Sequence, residues 1–88
     1  MARFLFFGKA GCSVCKKVYK KIEYFKNNHL PEAEILYYDM ETVDGLAEGA
    51  YHDVSAVPTI ILERDGKELG RWQEIPPTFK TLQQILGR

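Results

Sequence analysis

The chain has 88 residues, enough for one compact domain and too few for two. Apolar residues make up 45% of it and charged residues 27%, so a core can form without disulfides or metal as scaffolding. Twelve Lys and Arg balance twelve Asp and Glu, which removes any whole-chain electrostatic drive towards nucleic acid or an anionic membrane.

The opening MARFLFFG sets one basic residue before an apolar run, but the run stops at Gly8-Lys9, too soon for an export signal. No stretch approaches the roughly 20 apolar residues of a membrane helix. A cytoplasmic, monomeric protein is expected, and in a reducing compartment two close cysteines point to redox or metal chemistry.

In chain order, Arg3-Phe4-Leu5-Phe6-Phe7 is a continuous apolar run ended by Gly8, the pattern of a central strand covered on both faces. From Cys15 the residues Val18, Tyr19, Ile22 and Phe25 recur at helical spacing with lysines between them, and Asn27-Asn28 is the expected end. Ile35 to Tyr38 reads as a second strand, parallel to the first because a helix joins them. Val43, Leu46, Ala47, Ala50 and Tyr51 form a helical apolar face behind the candidate cap Thr42, interrupted by Gly45 and Gly49. Thr59 to Leu62 is a third strand, and Asp65-Gly66 turns it into an antiparallel fourth beginning at Lys67. Phe79, Leu82, Ile85 and Leu86 make a terminal helix between Thr78 and Gly87. The order βαβ-α-ββα predicts an α/β fold over residues 1–88, a mixed four-stranded sheet flanked by three helices.

The two cysteines, Cys12 and Cys15, bracket Ser13 and Val14 where the first strand feeds a helix. Open α/β sheets carry their sites at such strand ends. Unpaired N–H groups and the helix dipole favour a thiolate at Cys12, and Cys15, one turn on, is within reach to resolve what Cys12 attacks. A structural disulfide would close too short a loop to stabilise much. A zinc site would need four ligands, and Cys12, Cys15, His29 and His52 do not have the usual finger or knuckle spacings.

The first strand running into Gly11-Cys12-Ser13-Val14-Cys15, followed much later by Val57-Pro58-Thr59, resembles the thioredoxin-like superfamily, and the length resembles glutaredoxin. The resemblance implies a cis bond before Pro58, substrate pairing by the backbone of Val57, and thiol-disulfide exchange with Cys12 as nucleophile and Cys15 as resolving thiol. Lys9, Ser13 and Val14 are further candidate substrate contacts. No cofactor is implied; the partners would be protein disulfides or glutathione-mixed disulfides, with glutathione or a reductase as donor, in electron transport and redox homeostasis. Subtype marks conflict. Gly11 and Phe6 stand where typical thioredoxins carry tryptophan and aspartate, and Gly70-Arg71-Trp72-Gln73 replaces the Gly-Gly and aspartate of the glutaredoxin glutathione clamp. Two other functions suit the same pattern: a metal or iron–sulfur module held through Cys12, and a peptide-binding adaptor using the Val57-Pro58 groove. Trp72 and the tyrosines Tyr19, Tyr24, Tyr37 and Tyr38 read as structural, and no role is assigned to His29 or His52.

Overall fold

A computed structural model describes residues 1–87; Arg88, the last residue of the expected domain, lies outside them. Seven elements follow in order: β1 (Ala2–Gly8), α1 (Ser13–His29), β2 (Glu34–Asp39), α2 (Val43–Tyr51), β3 (Thr59–Arg64), β4 (Lys67–Gln73) and α3 (Phe79–Leu86). They form the expected mixed sheet, in the order β2-β1-β3-β4. β1 pairs in parallel with β2 and antiparallel with β3, and β3 antiparallel with β4.

The apolar run of β1 has the expected cause. Phe4, Leu5, Phe6 and Phe7 are all fully buried, and alternation sends them to opposite faces. Phe4 and Phe6 join Cys15, Val18, Ile22 and Phe25 of α1 and Leu82 and Leu86 of α3 in the larger core. Leu5 and Phe7 join Val54 and Ile61 in a smaller core on the other face. Asp65 and Gly66 both take positive φ, 52° and 82°, as the hairpin turn requires.

One expectation needs correction, and one helix packs with its apolar stripe outward. α1 runs through Asn27 and Asn28 to His29, because Asn28 Nδ2 donates to the Tyr24 carbonyl and Leu30 N–H to the Lys26 carbonyl, so the turn closes later. α2 forms where expected, with Thr42 Oγ1 accepting from the Gly45 N–H at 3.0 Å, but its faces are reversed. Gly45 and Gly49 are buried, while Val43, Leu46 and Tyr51 are 83%, 53% and 81% exposed. A Cβ on Gly45 would lie 1.8 Å from the Asp39 carbonyl oxygen, and one on Gly49 would meet the Met40 thioether at 2.6–2.9 Å. The helix lies so close to the β2 end that only its glycine side fits, and its apolar stripe faces outward.

Candidate redox site

The site sits at the C-terminal end of β1. Gly8, Lys9, Ala10 and Gly11 carry the chain from the strand into α1, and Cys12 N–H donates to the Lys9 carbonyl. Cys12 is the N-cap of α1, with extended φ and ψ of −98° and 104°. Its Sγ accepts the Cys15 N–H at 3.0 Å, the position an N-cap oxygen ordinarily fills. Cys12 and Cys15 are joined as a disulfide with Cα atoms 5.2 Å apart. Cys12 is half-buried and packs against the larger core, whereas Cys15 is 3% exposed. The outer sulfur is therefore the accessible one, and it lies at the positive end of the α1 dipole with the Cys15 N–H donated to it.

The bond between Val57 and Pro58 is cis. Because Phe7 pairs with Thr59, the β1–β3 register sets Pro58 across from Gly8. A Cβ on Gly8 would lie 3.4 Å from Cys15 Sγ, so the strand end, the buried sulfur and the Pro58 turn meet at one point. Thr59 Oγ1 donates to the Ala56 carbonyl at 2.5 Å across that turn, and Glu74 N–H donates to the Pro58 carbonyl at 2.7 Å. Pro58 is buried and Val57 half-buried against the same core as Cys12. Lys9, Ser13 and Val14 are exposed around the disulfide.

Two features escaped the sequence. An open pocket of about 450 Å³ lies beside Cys15 and includes Lys9, Lys16, Tyr19, Lys20 and Tyr37 in its walls. Phe6 stacks on Tyr37 at 5.7 Å and meets Tyr19 edge-on at 5.2 Å, so Tyr19 and Tyr37, read as structural, also wall the site. Desolvation, then the nearby Asp39 and Glu41 carboxylates, push the Tyr37 phenol up from its ordinary value, and its neutral side chain lines the pocket beside Cys15. Ile75, 76% exposed, follows Glu74 at the turn beside Pro58. Glu74 has φ 66°, and no residue pattern in the chain signals that conformation. Trp72 instead behaves as expected: it packs on the larger core, and a Cβ on Gly70 would strike its ring at 2.5 Å. Among the described residues, no three His, Cys, Asp or Glu side chains converge, and no helix is long and apolar enough to cross a membrane.

No protein-family model matches the sequence, and no curated protein matches it. Solved structures do. Thioredoxin 1 of Thermosipho africanus superposes with a TM-score of 0.76 at 23% identity, over 98% of this chain and 91% of that one. Fasciola hepatica thioredoxin gives 0.74 at 24% identity, over 99% and 79%. Thioredoxin O2 of Arabidopsis thaliana, in its oxidized state, gives 0.78 at 18% identity, over 99% and 73%. With the strand order, the cysteine pair at the start of α1 and the proline turn across from it, these likenesses establish that the chain has the thioredoxin fold.

Proposed function

We propose that this protein is a dithiol–disulfide oxidoreductase. The observation that carries the reading is the Cys12–Cys15 pair at the start of α1, with Cys12 Sγ accepting the Cys15 N–H. The Cys15 N–H donated to this sulfur and the positive start of α1 favour a thiolate on Cys12 once the pair is reduced. That thiolate attacks one sulfur of a substrate disulfide, the S–S bond breaks, and the other substrate sulfur leaves as a thiolate. Cys15 then gives up its proton and attacks Cys12 Sγ. The second substrate thiolate leaves, and the Cys12–Cys15 disulfide forms. Two electrons pass from the dithiol to the substrate, and a reductant returns them.

The exposed Lys9, Ser13 and Val14 and the half-buried Val57 beside Pro58 support a substrate groove at this edge, to which Ile75 adds apolar surface. The substrates are protein disulfides or glutathione-mixed disulfides met in the cytoplasm by a monomer. Recycling assays with glutathione and with a thioredoxin reductase identify the donor.

The test of the mechanism is Cys15→Ser. The variant should accumulate a mixed disulfide on Cys12 detectable by mass spectrometry, since nothing nearby remains to resolve it. Its single thiol should alkylate with a pH midpoint below the roughly 8.5 of an ordinary cysteine. Adducts that fail to form, or an ordinary midpoint, would sink the assignment of Cys12 as nucleophile.

A further inference from the structure

The reversed face of α2 leaves an apolar stripe in solvent. Val43, Leu46, Ala47, Ala50 and Tyr51 follow one another at intervals of three, one, three and one, a continuous stripe along one side of the helix. In most helices such a stripe is buried. Here Gly45 and Gly49 occupy the buried side, and all five stripe residues are exposed. The glycines lower helix propensity by about 1 kcal/mol each relative to alanine, a cost that accompanies the close approach to the Asp39 carbonyl, where a Cβ on Gly45 would not fit. Single exposed apolar residues need no explanation, but a contiguous stripe marks a surface that meets another molecule.

The charges around the stripe identify what meets it. Asp39, Glu41, Asp44, Glu48 and Asp53 lie on α2 or its flanks, and residues 39–53 contain no Lys or Arg. Arg71 reaches this segment through the Asp53 carbonyl, but Glu68 already holds its guanidinium. His52 lies 3.8 Å from Glu48. α1 has the opposite character, with Lys16, Lys17, Lys20, Lys21 and Lys26 against Glu23. The neutral total thus hides an acidic α2 surface.

We propose that the α2 stripe docks a basic amphipathic segment of a partner protein, one whose apolar side chains cover Val43, Leu46 and Tyr51 while its Lys or Arg residues meet the flanking carboxylates. A second copy seated by α2 against α2 across a two-fold axis would set these carboxylates against each other, and an anionic membrane would be repelled by them. Neither objection applies to a cationic segment, whose opposite charge also speeds encounter. The proposal does not depend on the redox reading, because no stripe residue lines the pocket at Cys15 or belongs to the cysteine pair.

The probes are a synthetic leucine–lysine amphipathic helix, its leucine–glutamate counterpart, and vesicles containing phosphatidylglycerol. Amide NMR of the labelled protein should show the leucine–lysine peptide perturbing residues 43–51, with no effect from the glutamate peptide. Binding should weaken several-fold between low and high salt, as exposed charges become screened. Val43→Ser/Leu46→Ser/Tyr51→Ser should weaken it at least about tenfold, a loss of about 1.4 kcal/mol. Asp44→Asn/Glu48→Gln, which keeps the stripe, should weaken it as well. All five positions are on the surface, and reduction of a small disulfide by each variant should match wild type, which separates failure here from failure of the redox reading. Unchanged affinity in the serine variant, or shifts that avoid α2, would overturn the proposal. So would a wild-type dimer that the serine variant dissociates, or vesicle binding that it loses.

Discussion

Gly45 and Gly49 occupy equivalent inward positions one turn apart, yet their surroundings differ in what can move. The Cβ position of Gly45 faces a backbone carbonyl at 1.8 Å, which shifts only if α2 leaves the end of β2. That of Gly49 faces the flexible end of Met40, which can rotate away, while alanine adds helix propensity. Gly45→Ala should therefore destabilise by about 2–4 kcal/mol, and Gly49→Ala should stay within about 1 kcal/mol of wild type. Urea unfolding of both variants measures the contrast; equal effects would contradict the close approach seen at Gly45. The same scale explains what was legible at the site. Cys12 was identifiable because a cysteine before a helical apolar pattern occupies a cap position whatever the rest of the chain does. Tyr37 was not, because its nearness to Cys15 arises only from the pairing of Phe6 with Tyr37 in the β1–β2 register.

At the scale of elements, local signals set the ends. Thr42 and Thr78 cap α2 and α3 through side-chain oxygens, and Gly87 closes α3 at φ 73°. β4 contains a feature its sequence does not announce. Leu62 pairs with Gly70 but Glu63 pairs with Glu68, so Leu69 is an extra residue in the strand. In a regular strand residues three apart face opposite sides; the bulge brings Glu68 and Arg71 together. Arg71 Nη2 and Nε donate to the Glu68 carboxylate at 2.9 and 3.2 Å, and this hydrogen bonding holds the carboxyl below the usual glutamate range. A folded value lowered in this way adds stability above the ordinary glutamate pKa and loses it as pH falls through the lowered one. Both groups are partly exposed, so the contribution is about 0–1 kcal/mol. The stability difference between wild type and Glu68→Gln should shrink from pH 7 to pH 3 in urea titrations; a difference that grows on acidification would contradict the pairing.

Across the whole molecule, the fold is closed by contacts distant in sequence. Arg3 of β1 stands opposite Glu63 of β3, and its Nε donates to the Glu63 carboxylate, whose side chain is only 8% exposed. Glu63 depends on that partner, since an unpaired buried carboxylate is costly while Arg3 itself remains half in solvent. Arg3→Met should cost about 1–3 kcal/mol, and Arg3→Met/Glu63→Leu should recover much of it, because the second change removes the stranded charge. Equilibrium unfolding of the two variants tests this; a double variant less stable than Arg3→Met alone would show that Glu63 does not need its partner.

The sequence alone determined the element order, the central position of β1 and the cysteine pair at a helix start. Each follows from a short-range cause: an apolar run too long for one exposed face, a turn residue tolerant of positive φ, or a cap position ahead of helical periodicity. Tertiary structure alone decided which side of α2 faces inward, which residue of β4 bulges, and which side chains surround Cys15. Periodicity identifies a helix and its apolar stripe, but not how closely the helix approaches its neighbour. At the distance set by the Asp39 carbonyl, only a face without a Cβ fits at Gly45, so steric exclusion overrode hydrophobic burial and left Val43, Leu46 and Tyr51 in solvent.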